Sequence, residues 1–432
     1  TRSAIFLPFN QLGLVIVDEE HELSYKQFDP SPRYHARDSA VVLAGMYQAK
    51  VVLGSATPAL ESSFNRLSGK YGWVQLGERY GKVAMPEILT IDLKSAYKKK
   101  KMKGGFSHTL IHEMEQTLSM GKQIILFQNQ RGYAPVMECL DCGHMPQCHQ
   151  CDVTLTYHQY SDQLKCHYCG YQIAVPEKCH ACGLHNLSSK GMGTQQIQEQ
   201  VSTLFPEVSV ARMDWDTTRG KWAFDKLIHS FAVQEVKILV GTQMITKGLD
   251  FQNVHLVGVL NADHLMNFPD FRAHERTYQM LSQVAGRAGR KALRGKVLIQ
   301  TYQPQHPIIQ KVIEGNYDQM LHQQLKERKE YHYPPYNRLI RMVVNHSDME
   351  TVKKASQWIV NVLLQSDYGQ ILGPVFPPIA RVRNRYRMQI LIKIEGSQSR
   401  DRVKQIIRKT LDRFESIAIF RSCKVNLDVD PY

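Results

Sequence analysis

Short apolar runs that end in polar residues mark the first part of the chain. Leu12–Val17 is a continuous apolar run that ends at Asp18, and Val51–Leu53 repeats the pattern. Runs of this kind are typical of buried parallel strands. The segment Ala36–Ala49 between them favours a helix. We therefore predict that residues 1–95 belong to an α/β domain.

A second α/β pattern follows the polar, basic stretch Lys94–Gly105, which indicates a linker. Strand-like and helix-like segments alternate beyond it, and this alternation favours a parallel sheet. The predicted strands are Gln123–Gln128, Val208–Met213, Lys237–Val240, Leu256–Leu260 and Lys296–Gln300. The predicted helices are Leu110–Met120, Gln195–Leu204, Lys221–His229 and Glu275–Ala285. We predict a domain over residues 104–332 with a cysteine-rich insertion at 138–186.

The last part of the chain, residues 333–432, has a different order of elements. The predicted strands are Arg338–Asn345, Gln370–Val375, Gln389–Ile394 and Cys423–Val429, and the predicted helices are Met349–Leu364 and Arg400–Arg413. The order βαββαβ predicts an α+β domain with a ferredoxin-like plan.

The composition is that of an ordinary globular protein, but the charge is strongly basic. The 432 residues include 54 Lys+Arg against 40 Asp+Glu, a net charge of +14. This excess indicates a polyanionic partner without separating DNA from RNA or an anionic lipid surface. No apolar run approaches the roughly 20 residues of a membrane span. No charged-then-apolar leader opens the chain, so we expect a cytoplasmic protein without membrane association.

The first motif with chemical potential is Asp18-Glu-Glu-His21, directly after a predicted strand. Nucleotide hydrolases use an acidic residue at the end of a strand to hold Mg²⁺ and a neighbouring carboxylate to orient the attacking water. Asp18 would then hold the metal ion and Glu19 would act on the water. A solvated acidic turn is the alternative.

The second motif is Gly54-Ser-Ala-Thr-Pro58, which follows the next predicted strand of the same domain. Small hydroxyl residues at this place can relay between a nucleotide site and a nucleic-acid site. The alternative is an ordinary helix N-cap, with Ser or Thr before proline.

The third motif is Gln283-Val-Ala-Gly-Arg-Ala-Gly-Arg290. Its glycines let the backbone turn so that the guanidinium groups of Arg287 and Arg290 come close together. Forked guanidinium groups match phosphoryl oxygens and can neutralise a transition state. A basic surface loop is the alternative.

The fourth motif runs from Ile238 to Asp250, out of a strand and into a glycine-containing turn. Backbone amides there could meet a phosphate, and Asp250 could accept a hydrogen bond from a ribose hydroxyl. The alternative is a common joint between strand and helix.

In this order the motifs resemble those of superfamily 2 helicases. The similar segments are Thr1–Phe9 (the strand-contacting segment before motif II), Asp18–His21 (motif II), Ser55–Thr57 (motif III), Phe127–Tyr133 (motif IV), Gly241–Asp250 (motif V) and Gln283–Arg290 (motif VI). The resemblance implies two RecA-like parallel-sheet lobes, the first of them incomplete, that bind ATP and Mg²⁺. The implied site residues are Asp18, Glu19, Arg287 and Arg290 for catalysis, Gln283, Gly248 and Asp250 for the nucleotide, and Arg2, Arg131 and Thr242 for DNA.

Eight of the nine cysteines form four C-x₂-C pairs, a spacing that indicates metal binding and not disulfides. Eight thiolates make two tetrahedral Cys₄ zinc sites, with iron–sulfur as the rival metal. We predict a nested pairing because it makes the inner loop a compact hairpin. The two predicted sites are Cys139, Cys142, Cys179 and Cys182, and Cys148, Cys151, Cys166 and Cys169.

An eight-cysteine insertion in a second motor domain resembles one family closely, the bacterial replication-restart helicases called primosomal protein N′ (PriA). The similar segments are Asp18–Glu22, Tyr25–Gln27, Arg33–Asp38, Gly54–Glu61, Gly241–Met244 and Leu427–Pro431. The resemblance implies an ATP-dependent 3′→5′ DNA helicase, monomeric and associated with the nucleoid. It would recognise stalled or abandoned forks and D-loops, contact single-stranded DNA-binding protein, and recruit primosome proteins that load the replicative helicase.

Two parts of that family's pattern do not occur in this sequence. They are the N-terminal 3′-end-binding domain and the P-loop G-x₄-G-K-[ST], whose backbone and lysine hold the β- and γ-phosphates. We therefore expect that this chain alone does not hydrolyse ATP, and that it is a fragment or is completed by another chain. A non-catalytic zinc-ribbon DNA-binding module and an RNA helicase are the alternative functions.

An aromatic and basic segment follows motif II and resembles the aromatic-rich loop of this family and of RecQ-type helicases. Aromatic side chains that stack on bases beside an ATP-site carboxylate offer a route for coupling DNA binding to hydrolysis. The predicted DNA contacts are Tyr25, Tyr34, His35 and Arg37. A solvated loop is the alternative.

Four arginines alternate near the C-terminus, at Arg381, Arg383, Arg385 and Arg387. In a single strand all four would face one side, and phosphate would relieve their mutual repulsion. Arg383 and Arg385 are the predicted DNA contacts, and a mobile basic hairpin loop is the alternative.

Overall fold

The structure is a computed structural model that describes most of the chain. The described residues are 2–78, 84–128, 136–158, 162–190, 193–214, 217–218, 220, 222–246, 251–289, 294–366 and 369–431. The chain divides into two compact units. The first unit comprises Thr1–Gly72, Met137–Leu187 and Leu325–Tyr432, and the second comprises Trp73–Val136 and Ser188–Gln324.

The second unit is built on a six-stranded sheet whose neighbouring strands are all parallel. In spatial order the strands are Val210–Met213, Ile238–Gly241, Gln123–Phe127, Val254–Val259, Lys296–Thr301 and Glu87–Asp92. The three strands from Ile238–Gly241 to Val254–Val259 are buried along their whole length, as expected for strands covered on both faces. The predicted α/β alternation is confirmed.

Helices and shorter elements complete this unit. The helices are Leu93–Lys98, His108–Ser119, Thr194–Leu204, Ala223–Ala232, Asp263–Met266, Ala273–Ala285, Pro307–Glu314 and the first part of Tyr317–Glu330, with a 3₁₀ turn at Gln243–Thr246. Leu110 and Met114 pack with Ile124 and Leu126 in its hydrophobic core. This contact ties the helix His108–Ser119 to the centre of the sheet.

The structure moves the predicted boundary between the first two domains. The strand Glu87–Asp92, which we placed in domain 1–95, pairs with Lys296–Thr301 and therefore belongs to the second sheet. The predicted linker Lys94–Gly105 instead holds the helix Leu93–Lys98, which the side chain of Asp92 caps, and the small hairpin of Met102–Lys103 with Phe106–Ser107. A basic surface on a short helix looks like a linker when only composition is considered.

The N-terminal part of the first unit contains two parallel strands, Leu14–Val17 and Lys50–Leu53. The helices Ala36–Met46 and Leu60–Leu67 and the 3₁₀ turns Arg2–Phe6 and Leu23–Tyr25 accompany them. The strand residues Ile16 and Val52 are 67% and 50% exposed. An apolar face of this kind is unusual for a parallel sheet, which is ordinarily covered on both faces.

The cysteine-rich insertion forms a separate small sheet. Its strands, in spatial order, are Gln172–Ala174, Gln163–Lys165, Thr156–His158, Val136–Cys139 and Leu187–Lys190. Leu155 and Leu164 form a small core together with the buried thiols of Cys148, Cys151 and Cys166. The insertion is therefore a folded module between the strand Gln123–Phe127 and the helix Thr194–Leu204, as predicted.

The C-terminal domain has the predicted ferredoxin-like plan. The strands Gln370–Val375, Arg385–Glu395, Asn337–His346 and Lys424–Val429 form an antiparallel sheet in that spatial order. The helices Met349–Leu364 and Arg400–Ser416 pack on it, with a 3₁₀ turn at Ala418–Phe420 and a two-residue strand at Arg381–Val382. The C-terminal segment of the first unit begins at Leu325, inside the helix Tyr317–Glu330, whereas the predicted domain begins at residue 333. Buried Arg328 of this helix forms an ion pair with Glu61 of the same unit. This contact explains why the end of the helix belongs with the first unit.

A search of the described helices finds none that combines the length and the apolar character needed to cross a bilayer.

Candidate functional site

Motifs II and III lie side by side at the carboxyl ends of two neighbouring strands. Asp18 follows the strand Leu14–Val17, and Gly54 follows its parallel partner Lys50–Leu53. The amide of Glu20 donates to the carbonyl of Gly54 at 3.0 Å, and the amide of Gly54 donates to Val17 at 2.9 Å. Ligands of open parallel sheets bind at this edge. The backbone therefore joins the two motifs at the place where a ligand is expected.

A side-chain bond adds to this junction. The Nδ1 atom of His21 and the Oγ atom of Ser55 lie 2.7 Å apart in a hydrogen bond. His21 is buried, and its Nδ1 atom also lies 3.7 Å from a carboxylate oxygen of Glu19. The histidine of motif II thus connects the carboxylate proposed to act on water with the hydroxyl of motif III.

Asp18 and Glu19, two of the three carboxylates of motif II, differ in their settings. The side chain of Asp18 is exposed, and its Oδ1 atom accepts the amide of Glu19 at 2.9 Å. Glu19 has a φ of 48°, a left-handed conformation that costs free energy for a residue with a side chain. Such outliers persist where the surrounding structure fixes them, and they concentrate at functional sites. Oxygen donors at a strand end suit Mg²⁺, so the residues present fit that ion.

Arg37 does not present its side chain for DNA, contrary to our prediction. Its guanidinium group is buried and donates to Glu20 at 2.9 Å and to Asp38 at 2.8 Å. Glu20 in turn accepts the amide of Ala59 at 2.6 Å and the hydroxyl of Ser62 at 2.9 Å. The buried carboxylate of Glu20 needs a buried cation, and Arg37 supplies it. Glu20 in this way connects Arg37 and motif II to the helix Leu60–Leu67.

His35 is also buried and does not form a DNA-contacting surface, again contrary to our prediction. Its exposed fraction is 8%. Burial, followed by the positive charge of Arg37, lowers the pKa of His35 to about 4. A side chain that is neutral at physiological pH and covered by protein contributes little attraction for phosphate.

The remaining predicted contacts of the segment keep partly exposed side chains. The hydroxyl of Tyr25 donates to the carbonyl of Asp18 at 2.7 Å, and burial, then the charge of Asp18, raises the pKa of Tyr25. The ring of Tyr34 packs edge-on against Phe6 at a centroid distance of 5.0 Å. Arg2 donates to the carbonyl of Lys26 at 3.0 Å. Of these three residues, Tyr25 contacts motif II directly, whereas Tyr34 contacts Phe6 and Arg2 contacts Lys26.

The predicted site residues of the second unit are partly described. Gln283 lies half-buried in the helix Ala273–Ala285, and Arg287 is buried just beyond the end of that helix. Thr242 is half-buried after the strand Ile238–Gly241. Arg290, Gly248, Asp250 and Arg131 lie outside the described residues. Asp18 and Glu19 belong to the first unit, and Gln283 and Arg287 belong to the second.

A glycine of motif VI is required by its surroundings. Gly289 has a φ of 67°, and a Cβ atom there would lie 2.3 Å from the backbone nitrogen of Gly295. Its amide donates to the carbonyl of Val254 at 3.0 Å. The chain after Arg287 can therefore pass close to the strand segment only because residue 289 has no side chain.

The eight cysteines form two tetrads with the predicted nested pairing. Cys139, Cys142, Cys179 and Cys182 bring their Sγ atoms within 4.8 Å of one another, and so do Cys148, Cys151, Cys166 and Cys169. Bonds of about 2.3 Å in a tetrahedron place sulfur atoms roughly 3.8 Å apart. The pairs Cys139–Cys182 and Cys142–Cys179 lie at 3.6 Å, and Cys148–Cys169 lies at 3.5 Å. Both tetrads therefore fit zinc.

Three of the four cysteine pairs share one backbone geometry. Each is followed by a glycine with positive φ, at Gly143, Gly170 and Gly183. In each, the glycine amide donates to the carbonyl of the first cysteine at 2.8–2.9 Å. Such turns direct amides toward thiolates, as in the bond from the Tyr171 amide to the Sγ atom of Cys169 at 3.4 Å.

The fourth pair, Cys148 and Cys151, has Asp152 where the others have glycine, and it is completed by the C-terminal domain. The amide of Arg383 donates to the Sγ atom of Cys151 at 3.3 Å. The amide of Asp152 donates to the carbonyl of Arg381 at 2.9 Å, and the side chains of these two residues form an ion pair at 3.0 Å. A distant part of the sequence thus supplies an amide to this metal site.

The four alternating arginines do not share one strand, which corrects our prediction. The chain turns at Arg383 and Asn384, both with positive φ, so that Arg381–Val382 pairs with the start of Arg385–Glu395. Arg383 is exposed and donates to the carbonyl of Tyr168 at 3.0 Å. Arg385 donates to the side chain of Asn345 at 2.8 Å. The structure has the hairpin of our alternative, but contacts with the zinc module hold this hairpin in place, so it is not the mobile loop of that alternative.

Two functional candidates escaped the sequence analysis, Lys26 and Asp428. Both are buried, and their side chains form an ion pair at 2.9 Å. Each lies in a segment that resembles the replication-restart family, Tyr25–Gln27 or Leu427–Pro431, but neither residue itself had an assigned role. A charged residue without an assigned role in such a segment was the sequence signal that could have identified Lys26 and Asp428.

Comparison with known proteins agrees with this arrangement. Three family models match: "Primosomal protein N C-terminal domain" over residues 329–432, "PriA DNA helicase Cys-rich region (CRR) domain" over 148–173, and "Helicase conserved C-terminal domain" over 191–292. The chain is 41% identical to the replication restart protein PriA of Bacillus subtilis and 38% identical to that of Haemophilus influenzae. Both alignments cover 100% of this chain but only 53% and 58% of those proteins.

The chain thus spans about half the length of the curated relatives that it matches. Among solved structures, it is similar to RecG bound to a three-way DNA junction, at 13% identity and a TM-score of 0.38. That match covers 74% of this chain and 31% of RecG.

Proposed function

Because the chain belongs to the PriA family of replication restart proteins, we propose that the intact protein is an ATP-dependent DNA helicase with 3′→5′ polarity. It recognises stalled or abandoned replication forks and D-loops and starts primosome assembly there. Its ligands are branched and single-stranded DNA, and its partners are single-stranded DNA-binding protein and the proteins that load the replicative helicase. It acts in the bacterial cytoplasm, at the nucleoid.

The observation that carries this proposal is the junction of motifs II and III. Asp18 and Ser55 follow adjacent parallel strands, and His21 connects the two motifs. A protein that only binds DNA has no need for a strained glutamate beside an exposed aspartate at a strand end. The arrangement therefore favours nucleotide hydrolysis over passive binding.

The proposed division of labour follows from the residue types. Bound ATP with Mg²⁺ supplies the phosphoryl group and the cation that neutralises it. Asp18 would hold the metal ion, and Glu19 would orient the attacking water. Arg287 and Arg290 would bind phosphoryl oxygens, since guanidinium groups match their geometry. Gln283, Gly248 and Asp250 would contact the rest of the nucleotide.

The exposed strands of the first unit support a larger first lobe in the intact protein. Leu14, Ile16 and Val52 are at least half exposed on the two-stranded parallel sheet. Additional strands would extend this sheet, and their connecting helices would cover these residues. The extended sheet would bring a P-loop to the same edge as Asp18.

The test is ATP hydrolysis by the full-length protein with three nucleic acids of one sequence. We expect fork DNA to stimulate turnover strongly and single-stranded DNA to stimulate it less, while RNA leaves it near the basal rate. Equal stimulation by RNA would favour an RNA helicase instead. Absence of ATP hydrolysis with every nucleic acid would favour the alternative function, a non-catalytic zinc-ribbon DNA-binding module.

A further inference from the structure

Three cationic side chains converge on one buried carboxylate, that of Asp428 in the strand Lys424–Val429. The Oδ1 atom lies 2.9 Å from Nζ of Lys26, and the Oδ2 atom lies 3.0 Å from Nη2 of Arg341 and 3.7 Å from Nη1 of Arg33. Asp428 is 1% exposed. Arg341 belongs to the neighbouring strand of the same domain, whereas the other two cations come from the segment after motif II. One carboxylate of the C-terminal domain thus holds a segment of the helicase core.

Lys26 is the more constrained of the two incoming cations. It is 2% exposed, and its ammonium group also donates to the carbonyl of Val429 at 2.8 Å. Its backbone forms a bridge with His35 and accepts a hydrogen bond from Arg2 at 3.0 Å. A buried ammonium group is costly without its carboxylate. The base of the segment 25–37 is therefore fixed at Asp428.

The neighbours of Lys26 reach the proposed nucleotide and DNA sites. Tyr25, the preceding residue, donates its hydroxyl to the carbonyl of Asp18 at 2.7 Å. The amide of Gln27 donates to the carbonyl of Tyr34 at 2.9 Å, which holds the two arms of the segment together. Any displacement of Lys26 is therefore transmitted to Tyr25 and Tyr34, and through Tyr25 to motif II.

We propose that Asp428 is a positioning residue of the C-terminal domain that, through Lys26, sets the segment 25–37 in the shape that couples DNA binding to ATP hydrolysis. This inference rests on the proposed function, since it presumes DNA-stimulated hydrolysis by the intact protein. It also gives a role to two segments, Tyr25–Gln27 and Leu427–Pro431, that the nucleotide and zinc sites do not use. A purely structural ion pair would instead affect folding without separating stimulated from basal turnover.

The experiment compares ATP turnover with and without single-stranded oligonucleotide DNA in the full-length protein and its Asp428→Asn variant. We expect basal turnover and zinc content to be unchanged, and DNA-stimulated turnover to fall about tenfold, a usual size for coupling between sites. Lys26→Met should lower stimulation similarly, and the double variant should be no worse than either single variant.

Asp430→Asn is the matched control. Asp430 follows the end of the same strand, and its carboxylate is bound by Arg338 and the amide of Leu339 in its own domain. We expect this variant to keep wild-type stimulation. Should Asp428→Asn fail to fold, the pair Lys26→Met with Asp428→Leu replaces the two fully buried charges by apolar groups, which proteins tolerate. Arg33 and Arg341 are partly exposed and can turn to water, and stimulation should still be lost.

Three outcomes distinguish a failure of this inference from a failure of the function on which it rests. If DNA stimulates the wild-type protein and stimulates the Asp428→Asn variant or the apolar double variant as strongly, the positioning role alone is overturned. Additive losses in the double variant overturn it as well, because Lys26 and Asp428 would then act independently. A wild-type protein that DNA does not stimulate overturns the proposed function, and the coupling role falls with it.

Discussion

At the residue scale, the segment around motif II is held by ionisable side chains that are buried in pairs. Glu20 and Arg37 form one pair and Lys26 and Asp428 form another, and all four side chains are at most 5% exposed. Breaking such a pair leaves an uncompensated charge and costs about 3–5 kcal/mol. These buried pairs therefore fix the backbone near Asp18.

His35, buried beside Arg37, predicts a pH dependence of stability. Its pKa is about 4 in the folded protein and 6.5 in the unfolded chain. Between these values the unfolded chain binds a proton that the folded protein does not, so stability falls as pH falls from 6.5 toward 4. From about pH 7.5 to pH 5 this histidine should cost roughly 2 kcal/mol.

The measurement is the thermal midpoint of zinc-loaded His35→Gln and wild-type protein at both pH values. The variant should lose less stability on acidification than the wild type does. His112→Gln, at an exposed position, controls for the loss of any histidine. Equal losses in wild type and His35→Gln would contradict the burial of a neutral imidazole.

Residue types near motif II were predictable from the sequence, but the partners of the cations were not. Arg37 and His35 read as DNA contacts because both lie beside aromatic residues in a basic segment. A sequence does not distinguish a cation that meets phosphate from one that meets a carboxylate 17 residues earlier, as Arg37 meets Glu20. Lys26 and Asp428 are 402 positions apart and carried no pairing signal at all.

At the element scale, the zinc module and the basic hairpin depend on each other. The hairpin around Arg383 supplies an amide to Cys151 and an ion pair to Asp152. Its residue Val382 also packs against the small core of the module. Loss of the second tetrad should therefore release a hairpin that belongs to a different domain.

Replacing Cys166 and Cys169 by serine tests this dependence. We expect bound zinc to fall from two ions to one per chain, because the other tetrad has four cysteines of its own. Trypsin should then cleave faster after Arg383, since the hairpin loses its support. Cys423→Ser, outside both tetrads, should keep two zinc ions and the wild-type cleavage rate. Unchanged zinc in the double variant would refute the ligand assignment.

Elements were more predictable than their ends or their mutual contacts. The helix Met349–Leu364 and the strand Gln370–Val375 have the predicted bounds, because apolar periodicity and the cap at Asp348 define them locally. The alternating arginines were misplaced in one strand because the turn at Arg383 and Asn384 uses left-handed residues other than glycine. That conformation is stabilised by the zinc module, which is far away in sequence.

At the scale of the whole molecule, the zinc module, the C-terminal domain and the motif II region belong to one compact unit. Sequence order places the module inside the second motor domain, and the strand Glu87–Asp92 inside the first. Contacts reverse the assignment of the strand, which pairs with Lys296–Thr301, and the inserted module packs on the hairpin of the C-terminal domain. Non-local pairing of this kind is set by the folded chain and leaves no local signature.

The central claim is that motif II of this chain serves ATP hydrolysis by a DNA motor. The most direct measurement is ATP turnover by full-length Glu19→Gln protein in the presence of fork DNA. We predict a fall of about 100-fold or more, since the amide cannot accept a proton from the attacking water, with zinc content and fork-DNA affinity unchanged. Turnover close to that of the wild type would contradict the account.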